Sequence, residues 1–240
     1  MKFSILSLLL LIPIATCFSV TCHFGYYSKK YFDERVYRCS IRNAFLDTPF
    51  SRIRNIHGTP KLSLEEVIYL EITEPSECRY MPVGLQDFFP NLEGIHIHKA
   101  KLRIITKENL ENFPNLRVAY FNGNQLIELE SNLFENNKNL KAISFRDNKI
   151  REIGEAIFDG LDDLVQIKFS NNVCLQEGGD AEGPDEIKNV REAILEHCKE
   201  QDDPDISSQL EALKKTIENL SELLLAAQVE YSVLTTPGED

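Results

Sequence analysis

The chain has 240 residues, 42% hydrophobic and 27% charged, with a formal net charge of −12 and six cysteines. This composition is globular and excludes a collagen-like or wholly disordered chain. The acidic balance excludes non-specific nucleic-acid binding, which needs clustered Lys and Arg against phosphate. Residues 1–17 read as a secretory signal. Lys2 gives a positive start, an apolar run extends from Ile5 to Ala15, and Ala15 and Cys17 take the small-residue positions before a cut near Phe18. That run is too short to span a bilayer comfortably, and no later stretch reaches the roughly 18 apolar residues a span needs. The expected product is soluble and extracellular, with no membrane span.

Cys17 leaves with the signal, and Cys22, Cys39, Cys78, Cys174 and Cys198 remain. A secreted setting favours disulfides. Their odd number leaves one unpaired or bridged to another chain. Position suggests Cys22–Cys39 at one end and Cys174–Cys198 at the other. Three fates of Cys78 stay open: a buried free thiol, a bond to an N-terminal cysteine in place of Cys22–Cys39, or an interchain bridge. Residues 18–66 form a candidate N-terminal cap. Tyr26, Tyr27, Tyr31, Phe32, Val36, Tyr37 and Ile41 are strand-prone, and Cys22–Cys39 would staple them as a hairpin. His57-Gly58-Thr59-Pro60 reads as a turn.

A repeat of 24 residues follows over 67–173, in about five copies. Leu92, Leu116, Leu140 and Leu164 recur at that period. Ile95, Ala119, Ile143 and Ile167 stand at +3; Ile97, Phe121, Phe145 and Phe169 at +5; Ala100, Asn124, Asn148 and Asn172 at +8. Further apolar columns fall at +10, +13 and +18. Val67, Leu70 and Ile72 fit a degenerate first copy. Positions 0, +3 and +5 alternate as a short strand with one apolar face. The +8 Asn suits a turn where its side chain bonds backbone groups. One coil cannot bury its own apolar face, so stacked coils share a continuous core.

These columns resemble the leucine-rich-repeat family of the 24-residue extracellular type. The resemblance is carried by Leu116-x-x-Ala119-x-Phe121-x-x-Asn124-x-Leu126-x-x-Leu129 and Leu140-x-x-Ile143-x-Phe145-x-x-Asn148-x-Ile150-x-x-Ile153. It implies an α/β fold: a short horseshoe-shaped solenoid with a parallel sheet on its concave face. Ala100 replaces the usual Asn, which puts that turn's ladder bond in question. Residues 174–200 look like a reduced leucine-rich-repeat C-terminal cap. Pro184 sits near a helix start, and Ile187, Val190, Ile194 and Cys198 follow at helical spacing.

Residues 205–234 carry a heptad seam through Leu210, Leu213, Ile217, Leu220 and Leu224. Two readings stay open for this amphipathic helix: association with a second copy or another chain, or docking on its own solenoid. Asn219-Leu220-Ser221 is the one glycosylation sequon, with Asn219 off the seam. The whole arrangement resembles secreted insect leucine-rich-repeat immune proteins of the mosquito type, which pair through C-terminal coiled coils. No Cys follows Cys198 here, which speaks against a covalent pair.

No nucleophile elbow, zincin motif, phosphate loop or Cys-x-x-Cys occurs, and no cofactor is implied. His96 and His98 share the concave face at +4 and +6, with Glu71 the nearest third ligand, yet ordinary surface histidines are the simpler reading than a metal site. The +4 column reads Glu71, His96, Tyr120, Ser144, Lys168, and the +6 column Thr73, His98, Asn122, Arg146, Ser170. From these, Glu71, His96, His98, Tyr120, Asn122, Arg146 and Lys168 form the candidate protein-binding surface. The expected function is a secreted, non-enzymatic binding module whose immune role rests on the resemblance. A matrix protein assembling through its tail and an inhibitor of a secreted enzyme are the alternatives. The charge is uneven: residues 18–175 hold 20 basic and 21 acidic side chains, residues 176–240 hold 5 and 17.

Overall fold

Alternation at 0, +3 and +5 leaves each coil one apolar strand face, and that face decides the architecture. A computed structural model describes residues 17–49, 51–199 and 215–216. The chain divides into two units, Met1–Glu200 and Gln201–Asp240. In the second, only Lys215 and Thr216 are described, as helical. Residues 1–16 of the expected signal, the expected seam residues Leu210, Leu213, Ile217, Leu220 and Leu224, and Asn219 all lie outside the described residues.

The cap contributes β1 (Cys17–Tyr27), β2 (Val36–Ile41), β3 (Phe45–Leu46) and β4 (Arg52–His57). The coils contribute β5 (Tyr69–Thr73), β6 (Glu77–Cys78), β7 (Gly94–His98), β8 (Val118–Tyr120), β9 (Glu128–Leu129), β10 (Ala142–Ser144), β11 (Glu152–Ile153) and β12 (Gln166–Lys168). A short helix α1 (Lys107–Leu110) lies between β7 and β8; β13 (Asp180–Glu182) and α2 (Pro184–His197) close the unit. One nine-stranded sheet runs β13-β12-β10-β8-β7-β5-β2-β1-β4. From β2 to β12 every pairing is parallel, and β13 turns back antiparallel on β12. The register follows the period: Ile95, Ala119, Ile143 and Ile167 sit opposite one another.

Leu92, Leu116, Leu140 and Leu164 are buried, as are Phe121, Phe145 and Phe169 behind them. Phe121 and Phe145 stack with ring centroids 5.6 Å apart, and Phe134 packs 6.0 Å from Phe145. The core is continuous from Val20 in the cap to Cys198 beyond α2. Cys22–Cys39 ties β1 to β2, and Cys174–Cys198 ties the last coil to the end of α2. Cys78 is a buried free thiol, which burial pushes up to about 12.

The +8 asparagines form a ladder that reaches back one coil. Asn148 Oδ1 accepts from Leu126 N at 3.1 Å, while its Nδ2 donates to Phe121 O and Phe145 O at 2.9 and 2.8 Å. Asn124 and Asn172 repeat the pattern. The ladder does not extend to the first coil. There Ala100 offers only backbone, and Cys78 N donates directly to Ala100 O at 2.6 Å. A second periodic feature accompanies it: Lys99, Gly123, Asp147 and Asn171, all at +7, have φ of 50°, 72°, 59° and 63°. Gly, Asp and Asn tolerate that left-handed conformation, whereas Lys does so with strain. Where Asn gives way to Ala100, Lys101 is left-handed as well, at 61°.

Candidate functional site

The concave surface is built from the alternate residues of β5, β7, β8, β10 and β12. Solvation of all these side chains is the simple expectation, and it is not what the structure shows. The +2 positions Tyr69, Val118 and Ala142 are buried on this face, in a second apolar cluster with Val36. Tyr31 and Phe32, from the loop between β1 and β2, pack against it. Residues 28–35 thus form a strap across the concave face. Phe32 meets Tyr69 edge to face at 5.9 Å, and the Arg117 guanidinium lies 5.0 Å over the Phe32 ring. Gly94 makes room for this packing. A Cβ there would fall 2.3 Å from the Tyr69 ring and 3.3 Å from Phe32 Cζ.

Glu71 and His96 serve the interior of this arrangement. Glu71 pairs with Arg38, with Lys29 of the strap at 3.6 Å, and with His96 Nδ1 at 3.5 Å. The last is at the outer limit of hydrogen-bond length. The His96 imidazole, then the Arg38 guanidinium and Lys29 ammonium, hold the Glu71 carboxyl down at about 2, against burial pushing the other way. A carboxyl held low when folded adds stability that is complete above its ordinary value of 4.5 and lost as pH falls toward about 2. The stability difference between the parent and Glu71→Gln is therefore expected to shrink steadily across that window in denaturant titrations. A difference independent of pH would show that Glu71 does not play this part.

Tyr120 is half-buried beside His96, ring centroids 5.8 Å apart, and its hydroxyl donates to Gln166 Oε1 at 2.7 Å. Asn122 Nδ2 donates to His98 Nδ1 at 2.6 Å. Burial lowers the pKa of His98. The rings of His96 and His98 lie 5.6 Å apart, but the Glu71 carboxylate is engaged by Arg38 and Lys29. Among the described residues, no group of three or more His, Cys, Asp or Glu is placed to hold a metal ion.

Arg146 and Lys168 remain open. Both are exposed at the C-terminal side of the sheet. Arg146 Nη1 stands 3.4 Å from Asp180 Oδ2, and the Lys168 ammonium has no ion-pair partner among the described residues. Asp180 anchors this end. Burial opposes its ionisation, yet the amides of Phe169 and Ser170, each 2.9 Å from Oδ1, hold its pKa low. The expected seven-residue surface therefore divides: Glu71, His96 and Tyr120 support the strap, His98 and Asn122 bond each other, and Arg146 and Lys168 face solvent. Sequence reasoning missed Tyr31, Phe32, Tyr69 and Arg117. Its available signal was the apolar +2 column, out of place on a solvated face.

Residues 86–177 match the BspA type leucine-rich repeat region, in six copies. No curated protein matches the chain. Among solved structures, the Toll–Spatzle complex of Drosophila is similar at 18% identity over 52% of this chain and 17% of that one, with a TM-score of 0.43. The LRIM1/APL1C complex is similar at 15% identity, over 64% and 31% of the two chains, with a TM-score of 0.46. The APL1 leucine-rich repeat domain gives 17%, 64%, 43% and 0.44 for the same quantities. The chain thus spans less than half the length of each of these three. Its repeat columns, its parallel sheet and the matched region give the chain a leucine-rich-repeat solenoid fold.

Proposed function

We propose that this is a secreted, non-enzymatic protein-binding module that meets its partner on the open strip of the concave face. The observation that carries the reading is the position of Arg146 and Lys168. Two exposed cations stand at one edge of the sheet face, Lys168 at the end of β12 and Arg146 two residues beyond the end of β10, and the Lys168 charge is unpaired among the described residues. A sheet that fixes the backbone lowers the ordering cost of binding, and Arg is a favoured interface residue. The strip suits a carboxylate-bearing protein surface. A humoral immune setting follows from the resemblance carried by the repeat columns and the tail heptads. Pairing through residues 205–234 and a glycan at Asn219 belong to the same proposal.

The test is the Arg146→Ala/Lys168→Ala double variant. The partner captured from extracellular fluid by the parent protein should bind the variant at least ten-fold more weakly. That corresponds to about 1.4 kcal/mol. The thermal midpoint should stay within about 2 °C, since exposed charges contribute little to folding. Undiminished binding would remove the strip from the interface.

A further inference from the structure

The strap is eight residues long, between the end of β1 at Tyr27 and the start of β2 at Val36. Its attachments to the concave sheet are all made by side chains. Phe32 supplies the apolar anchor on Tyr69, over Gly94. Lys29 lies 3.6 Å from Glu71 and 4.7 Å over the Tyr69 ring. Lys30 pairs with Glu182 at the far edge strand, and Asp33 stands 4.0 Å from Arg117. The one backbone bond within residues 28–35 is internal, from Phe32 N to Lys29 O at 3.4 Å. No backbone hydrogen bond joins the strap to the strands beneath it among the described residues.

Two further observations show that the fit is incomplete. The hydroxyls of Tyr31 and Tyr69 are buried with no hydrogen-bond partner among the described residues. Buried donors left unpaired work against the contact that buries them. Tyr31 also holds a left-handed backbone, at φ 72°, where a bulky residue is strained. The outer ion pairs are exposed, with Asp33 97% accessible, so salt screens them readily. Beneath lies a coherent apolar strip of Tyr69, Val118 and Ala142 with an acid, Glu71, at its edge.

We propose that the strap is a displaceable occupant of a binding site, and that a protein partner takes its place. The kind of partner is defined by what the strap now presents. It is a loop carrying a cationic side chain for Glu71 and, about three residues on, an aromatic ring for the Tyr69–Gly94 niche. This deepens the concave-face reading and rests on it. Partner binding then exchanges one loop for another over the same strip, with the Tyr31 hydroxyl released from its unpaired state.

The experiment uses a blocked, fluorescently labelled peptide of residues 27–36, titrated in trans. Phe32→Ala removes the anchor of the internal strap. The peptide should bind this variant at least ten-fold more tightly than the parent, whose own strap competes. Adding Glu71→Gln should weaken that binding again, and a peptide with alanine in place of its phenylalanine should not bind. Where Phe32→Ala fails to fold, Lys29→Ala/Lys30→Ala loosens the strap and leaves the apolar core untouched. Equal affinity for parent and variant, or no saturable binding to either, overturns the proposal. Neither arm alters Arg146 or Lys168, so a negative result here leaves the test of the open strip standing, and the reverse also holds.

Discussion

Replacing Asn148 with alanine is expected to destabilise the solenoid by about 3 kcal/mol. The side chain is buried and makes its three shortest bonds, of 3.1, 2.9 and 2.8 Å, to backbone groups across two coils. The loss is unequal among them. Phe121 O keeps a donor from Asn124, and Phe145 O keeps one from Asn172. Leu126 N has Asn148 Oδ1 as its side-chain acceptor, inside the core, and would be left bare. An orphaned buried N–H carries most of the effect, at roughly 1–3 kcal/mol, with the two weakened carbonyls supplying the rest. Equilibrium unfolding in urea gives the number. A loss below about 1 kcal/mol would mean that the coil closes around the gap, as it does at Ala100.

The Phe145→Ala variant is expected to lose about 3–5 kcal/mol, through both the transfer of a buried ring and the cavity left behind. Phe145 is 1% exposed and lies between Phe121 and Phe134. It sits in the fourth coil, so the cavity opens in the middle of the stack. A solenoid is held by nearest-neighbour interfaces, and this residue packs on two rings of the preceding coil. At a few degrees per kcal/mol for a domain of this size, the thermal midpoint should fall by about 10 °C or more. Calorimetry or circular dichroism reads it. A drop of only a few degrees would indicate that the neighbouring rings collapse into the space.

The repeat was legible because its period is a property of spacing. Leu92, Leu116, Leu140 and Leu164 face the core for the same reason in every coil, and their columns announce it. The two disulfides were legible from position, and the helix α2 from the spacing of Ile187 and Ile194, both buried in it. The strap was not legible. Tyr31 and Phe32 read as strand-prone hairpin residues, and nothing local says that they fold over a sheet more than thirty residues ahead. Their contact with Tyr69 and Arg117 is set by how the stacked coils bring distant residues together. Glu71 and His96 were expected to face a partner, and the structure instead places them in the protein's own packing, where Lys29 of the strap meets Glu71. The open cations, Arg146 and Lys168, sit where the strap does not reach them.

The pair between Lys30 and Glu182 has a consequence for how such an array can change over generations. It joins a loop of fixed reach at one end of the sheet to the terminal strand at the other. Inserting one more coil would move Glu182 by roughly 4.8 Å, the width of a strand, and part the two residues. The strap therefore acts as a ruler. Repeat proteins grow readily by duplication, but here a gained or lost unit would cost this exposed pair unless a loop far away in the sequence changed length to match.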